Sequence, residues 1–474
     1  MKKTIVIAIL AVLINQLGFT QLKWIKVECG GEFSVALRSD STLWTWGFNG
    51  NGQLGINSTT PQHIPINIDS NHCWIDVSAG AFHCLAIKSD GTLWSWGLNS
   101  NGQLGDGNTL QSLHPKQIGN SNQWKKISAG QAHSLALKTD STLYAWGYNS
   151  LGSVGDSTFI DKNIPVVIMP NKKWISISAG GYHSMAIDSK HQLWAWGDNS
   201  LSQLGDTNLI KTSVPIKIGN DSDWLFVSAG FAFSTAIKQN HSLWSWGFNG
   251  NGQLGQGTTS TIAIPTRIGL DSNWDKVKAG SSYVLAIKLD STLWVWGFNG
   301  QGQLGTGDVI QKNVPINVGV NKKWITVAAA TGFVYNSSVY GLHSLAISNN
   351  QDVICSSGAN YAGQLGNGSS INNKVFDCNT GLINIFNEVF RKQKQKIIVY
   401  PNPATDFIQF TINIKGSMPK NVRIFNASGR MIYSKKFSTN LFTYSVSDLS
   451  EGLYFVEIHS DKGEIFRERF LVLR

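Results

Sequence analysis

Four histidines and four aspartates are the residues of this 474-residue chain whose types and spacing invite a chemical reading. His83, His133, His183 and His343 each follow a Gly-x-x or Gly-x turn, and the first three stand 50 residues apart. A metal site needs three or four such ligands at about 2 Å. One histidine per recurring unit converges that closely only at a symmetry axis, and Phe233 and Tyr283 hold the same place in two further units. The position is therefore expected to be structural, with no metal. Asp40, Asp90, Asp140 and Asp290 share one short turn, where Asp is a standard turn former, and do not pair as an acid and a base. The chain has no Gly-Lys-Ser/Thr phosphate loop, no HExxH and no GxSxG elbow. No catalytic residue and no cofactor is expected, and the chain is read as a non-enzyme.

The elements that carry these residues come in a repeat. Trp-Gly-x-Asn recurs with its Trp at 46, 96, 146, 196, 246 and 296; a seventh copy keeps Gly358 and Asn360 but has Ser357 for Trp. A second marker, the Trp of Trp-x-x-Val/Ile, falls at 24, 74, 124, 174, 224, 274 and 324. Two markers with one period define seven units. In the unit 74–123, strands are expected at Trp74–Gly80, His83–Lys88, Leu93–Trp96 and Pro115–Ile118, with Pro at a strand start. Asn99–Gly107 reads as a Gly-rich loop. Four short antiparallel strands per unit make an all-β fold, a seven-bladed β-propeller over residues 22–385. Near-identical use of Trp in every unit assigns the 18 Trp to the packing between blades. The chain starts at a first strand and stops after a weak fourth strand near Lys374–Asp377, so the ring closes by joining its ends. Unit seven has Cys355 and Ser357 in place of two Trp and is expected to be the softest seam.

The ends differ from the middle. Residues 1–21 read as a signal peptide: Lys2 and Lys3, then an apolar run from Ile5 to Ile14, too short to span a membrane. The net charge of +10 resembles a nucleic-acid signal, yet residues 22–390 carry 23 basic and 22 acidic groups, so no nucleic-acid partner is expected. The five cysteines fit no metal spacing and no disulfide framework. Cys29, at an Ala position of the repeat, is read as a buried thiol, and Cys355 and Cys378 are a candidate pair near the closing unit. A polar, basic linker over 386–396 leads to residues 397–474, whose short alternating strands form a small β-sandwich.

On these motifs the chain resembles two families. Ser78-Ala-Gly-Ala-Phe-His83-Cys-Leu-Ala, Leu93-Trp-Ser-Trp-Gly97 and Asn99-x-x-Gly-Gln-Leu-Gly105 resemble repeats of the regulator of chromosome condensation family, which implies the seven-bladed propeller. The founding activity of that family, nucleotide exchange on a nuclear GTPase, does not fit an exported chain. Only Arg38 and Arg267 lie in the propeller, which argues against the Arg-rich surfaces of the plant UV-B receptor. Tyr400-Pro-Asn-Pro403, Asn426-Ala-Ser-Gly-Arg430 and Leu449-Ser-Glu-Gly-Leu-Tyr-Phe455 resemble the type A sorting domain of the type IX secretion system. That resemblance implies contact with the secretion machinery and a place outside, or on the outer-membrane surface of, a Gram-negative bacterium.

The expected function is binding of an extracellular protein through one loop-rich face; the alternative is a glycan-binding adhesin or polysaccharide-capture protein. The turn between the first two strands of each unit varies where its flanks do not. It supplies Phe82, Tyr182 and Phe231, and in unit seven it is lengthened by the run Thr331–Tyr340 with Phe333, Tyr335 and Tyr340. These six aromatics are the candidate partner-binding residues, since aromatics dominate many interface cores.

Overall fold

The computed structural model describes residues 22–378 and 397–472, apart from short stretches at 70–72, 320–321, 336–337, 350–352, 401–403, 413–418, 427–429, 437–438, 440 and 463–464. The expected signal peptide and the linker lie outside the described residues.

Blade one is a four-stranded antiparallel meander of β1 (Trp24–Cys29), β2 (Phe33–Arg38), β3 (Leu43–Gly47) and β4 (Gln62–Asn67). Blade two repeats it as β5 (Trp74–Ala79), β6 (His83–Lys88), β7 (Leu93–Gly97) and β8 (Ser112–Gln117). Blades three to six follow as β9–β12 (124–168), β13–β16 (174–217), β17–β20 (224–267) and β21–β24 (274–318). Blade seven pairs β25 (Trp324–Ala329), β28 (His343–Ser348), β29 (Ile354–Gly358) and β30 (Asn373–Asp377), with a hairpin of β26 (Phe333–Tyr335) and β27 (Ser338–Tyr340) inserted. Among the described residues every blade is built from its own strands, and the ring closes by packing blade seven on blade one with no strand exchanged.

The fourth strand departs from expectation. Pro115 lies inside β8, not at its start. The ladder between β7 and β8 shifts register between Ser95 and Gly97, and the irregularity falls opposite the proline. A bulge on an outermost strand tolerates the missing N–H, and proline blunts an edge that would otherwise invite pairing. Pro65, Pro165, Pro215, Pro265 and Pro315 repeat the device.

One clasp recurs between blades and accounts for the invariant residues. Trp146 Nε1 of blade three donates to the Gln103 carbonyl of blade two at 2.8 Å, and Ser134 Oγ donates to the same oxygen at 2.8 Å. His83 Nε2 of blade two meets that Ser134 Oγ at 2.9 Å. The ring closes with the same set: His343 to Ser34, and Ser34 and Trp46 to the Gln364 carbonyl. Gly105, at a φ of 75°, lies so close that a Cβ there would stand 2.7 Å from Trp146 Nε1, which is why Gln-Leu-Gly ends in glycine. Trp46, Trp96, Trp146, Trp196, Trp246 and Trp296 are all fully buried.

The second compact unit, assigned to residues 383–474, holds two sheets. β31 (Ile397–Tyr400), β32 (Phe407–Ile412) and β35 (Leu441–Ser445) form one; β34 (Met431–Lys436), β33 (Pro419–Asn426), β36 (Gly452–Ser460) and β37 (Ile465–Val472) form the other. Ile408, Phe410, Ile424, Val456 and Phe470 fill the core they share. The late motif serves this core: Tyr454 stacks on Phe470 at 5.5 Å and its hydroxyl donates to the Ser450 carbonyl at 2.9 Å.

Candidate functional face

Strand pairing sorts the loops onto two faces. His83 opens β6 opposite Gly97, the end of β7, so the turn at 80–83 and the long loop at 98–111 emerge together. The hairpins at 89–92 emerge at the other end. The first face therefore carries the short variable turns near the axis, where the first strands stand, and the Gly-rich loops farther out.

The turns are joined around the axis by their backbones. Gly31 N donates to Ala81 O, Ala81 N to Gly130 O, Gln131 N to Gly180 O, Gly181 N to Gly230 O and Phe231 N to Gly280 O, all at 3.0–3.2 Å. Their first positions are largely consumed by this ring: Gly31, Ala81, Gly181 and Ser281 are buried. Phe82, Tyr182 and Phe231 are half-buried and present part of each ring to solvent. Tyr182 packs on Phe231 at 5.8 Å and on Tyr148 at 5.4 Å, and its hydroxyl accepts from Gln131 Nε2 at 2.9 Å. Phe82 stands apart from this group and packs on Phe48 at 6.4 Å.

Blade seven's insertion begins on the axis. Thr331 and Gly332 line a cavity of about 10 Å³ together with Gly181, Phe231 and Gly280, and Gly341 O accepts from Ser281 Oγ at 3.1 Å. The base of the insertion thus narrows the channel mouth. Phe333, Tyr335 and Tyr340 belong to its hairpin, with Phe333 opposite Tyr340; their side chains lie outside the described residues.

Two further sets share this face and were missed in the sequence. The variable position of Trp-Gly-x-Asn carries Phe48, Tyr148, Phe248 and Phe298, all half-buried, and its backbone N–H donates to the adjoining turn, as Phe48 does to Glu32 O at 2.9 Å. Leu110, Ile160, Ile210, Ile310 and Ile371 are 64–76% exposed, one in each of five blades at the same loop position. In four of these loops the preceding Asn side chain grips the carbonyl, as Asn99 Nδ2 grips Leu110 O at 3.0 Å. The signal was present: an aliphatic residue recurs eleven positions after that Asn, preceded in three blades by Phe159, Leu209 or Val309.

The residues singled out for chemistry have structural employment. Ser134 gives its hydroxyl hydrogen to Gln103, so His83 donates Nε2–H and remains neutral. Burial, with His133 nearby, holds His83 down to about 3; burial holds His133 to about 4. Asp90 accepts from the Thr92 N–H and hydroxyl, and Trp94 Nε1 donates to that hydroxyl, which is a turn lock. Among the described residues no three His, Cys, Asp or Glu side chains gather as a metal site would require, and no helix is long and apolar enough to cross a membrane. Cys29 and Cys84 are buried free thiols, and Cys355 and Cys378 form a disulfide.

Across the channel, Lys278 of blade six reaches Glu28 of blade one at 3.2 Å, and Lys26 bridges Glu28 and Asp76. Burial alone would raise the Glu28 carboxyl, but Lys278 and Lys26 hold it below the usual range.

Comparison with known proteins agrees with this geometry. The family model of the RCC1-like domain matches residues 11–336, and that of the secretion system C-terminal sorting domain matches residues 398–472. Among solved structures, human WBSCR16 is 20% identical with a TM-score of 0.62, over 70% of this chain and 92% of its own. Prp20p of Saccharomyces cerevisiae is 20% identical with a TM-score of 0.62, over 80% of this chain and 90% of its own. At these identities the likeness shows the fold. No curated protein matches by sequence. The chain belongs to the RCC1-like domain family, as a seven-bladed propeller followed by a secretion sorting domain.

Proposed function

We propose that the propeller is a secreted or surface-displayed binding module, not an enzyme, that takes a protein partner on its loop-bearing face. The observation that carries this is the outer ring of Leu110, Ile160, Ile210, Ile310 and Ile371, far more exposed than folding requires. It surrounds the half-buried aromatics Phe82, Tyr182 and Phe231. Exposed apolar surface repeated over one face marks an interaction site, and aromatic anchors together with these aliphatic side chains suit the apolar core of a protein interface. A branched aliphatic side chain offers a sugar neither a flat ring nor a hydrogen bond. The Tyr148–Tyr182–Phe231 run is the feature that favours a glycan instead.

The sorting domain accounts for export, and we take the mature propeller to work outside the cell. The decisive experiment compares the wild type with a variant carrying Ile160→Ser, Ile210→Ser and Phe231→Ser. Both are tested against secreted and surface proteins and on a glycan array. Saturable protein binding lost in the folded variant supports the reading. Binding confined to glycans, or protein binding that the variant retains, overturns it. Replacing Phe333, Tyr335 and Tyr340 by Ser then tests whether the insertion contributes.

A further inference from the structure

On the face away from the loops, a cation lies over a buried first-strand ring and a half-buried third-strand ring in most blades, and a carboxylate answers it. Lys88 lies 4.0 Å from the Trp94 ring centre and 3.7 Å from Asp69. Lys238 covers Trp224 and Trp244 and pairs with Asp221 at 2.6 Å; Lys288 covers Trp294 and pairs with Asp271 at 2.6 Å. Arg38 with Asp40, and Lys172 with Asp188, complete blades one and four.

Blade three breaks this rule. Lys138 covers Trp124 and Tyr144, but the loop before β9 reads Gly119-Asn-Ser-Asn-Gln123, with no acid where blades five and six have one. Among the described residues Lys138 makes no ion pair. Two more ammonium groups stand beside it, Lys125 and Lys126. The latter's Nζ donates to the Ile175 carbonyl at 2.7 Å, and it is held below the usual lysine range first by burial and then by Lys125, against Asp76, which raises it. These three line a cavity of about 210 Å³ between blades three and four, walled by Leu137, Trp174 and Ile175. Of the neighbouring carboxylates, Asp140 is engaged by Thr142 and Lys173, and Asp76 pairs with Lys26 while its charge also acts on Lys126; neither pairs with Lys125 or Lys138. Blade seven also lacks the carboxylate, but its Lys322 is exposed and lies by Trp324 and Cys378.

We propose that this cavity binds a small organic oxyanion, which supplies the charge that the chain provides in the other blades. Its charged end meets Lys125, Lys126 and Lys138, and its body lies against Leu137, Trp174 and Ile175. Lysine ammonium groups act as point charges, so a carboxylate and a tetrahedral oxyanion share this chemistry. The site lies on the face opposite the proposed protein interface and stands or falls independently of it.

The test is thermal unfolding and calorimetric titration of the secreted chain with glucuronate, inorganic phosphate and inorganic sulfate, against chloride at equal ionic strength. We expect a saturable rise in Tm beyond chloride for at least one oxyanion. Lys125→Gln and Lys138→Gln should each weaken that binding at least fivefold, while Lys288→Gln leaves it unchanged. Response to glucuronate alone assigns a carboxylated ligand, and response to phosphate or sulfate assigns a tetrahedral one. Oxyanions that act only as chloride does, or binding that survives Lys125→Gln, overturns the proposal. Lys125 is exposed, so that variant reports even if Lys138→Gln fails to fold.

Discussion

In blade four, Trp194 and Trp196 stand on the third strand; Trp196 is wholly buried and its Nε1 donates to the Ser153 carbonyl of blade three at 2.9 Å. In blade seven the same two positions are Cys355 and Ser357. Ser357 Oγ still donates to the Gln303 carbonyl of blade six at 3.2 Å, so the bond survives without the ring. The missing volume comes from the fourth strand. Phe376 stands where other blades have the edge proline, and it lies against Gly305 as Trp196 lies against Gly155. It also meets Trp324 at 5.7 Å, as Trp196 meets Trp174 at 6.4 Å. The disulfide from Cys355 to Cys378 ties that strand to its neighbour. The lesson is that the space between blades is conserved while the strand that fills it is not.

The seams differ in a second way. Blade four is clasped on both sides by histidine, His133 to Ser184 and His183 to Ser234. Blade seven has His343 on one side only; on the other, Tyr283 donates its hydroxyl to the His343 carbonyl and accepts from the Ala330 N–H.

The largest expected effect is of pH, and it separates the two seams. Burial, with His133 nearby, holds His183 to about 3, and burial holds His343 to about 3 against a backbone bond that raises it. A free histidine titrates near 6.5. Between about 6.5 and 4 the unfolded chain takes up protons that the native chain does not. Stability is therefore full above 6.5 and falls as pH drops, by about 1.4 kcal/mol per histidine per pH unit. Urea unfolding at pH 7 and pH 5 should differ by on the order of 5 kcal/mol, and His183→Phe should flatten the slope. Amide exchange at pH 5, corrected for the intrinsic rate, should show blade four losing more protection than blade seven.

Trp196→Ala should cost about 3–5 kcal/mol, the usual range for emptying a buried aromatic site. Ser357→Ala in blade seven should cost about 1 kcal/mol, one hydrogen bond. Equal losses in urea unfolding would show that the two positions do the same work. Removing the disulfide by Cys355→Ala with Cys378→Ala should cost about 3 kcal/mol. Amide protection should then fall in blade seven before blade four, whereas in the oxidised chain the two should be closer. The finest test is a double-mutant cycle. Ser357→Trp alone should destabilise, because Phe376 holds the space; so should Phe376→Pro alone, which empties it. Together they rebuild the ordinary blade, and a favourable coupling of about 1–2 kcal/mol is expected.

The period, the blade count, the order of strands and the place of the core Trp were legible in the sequence. Each follows from local patterning repeated seven times, and repetition averages out the errors of any single unit. The sorting domain was legible for the same reason: its motifs are local, and Tyr454 of the last one meets Ser450 four residues back and Phe470 on the adjoining strand. What the sequence did not disclose depends on contacts between residues far apart in the chain. The histidines were recognised as structural, but their partner is a serine about 50 residues on, or for His343 a serine 309 residues back. The exposed aliphatic ring needed the loop's backbone to be anchored by asparagine before its side chains could be placed outside. Phe376 looked like a weak strand residue, because only the packed ring shows that blade seven lacks a Trp and that the edge strand turns its side chain inward to replace it.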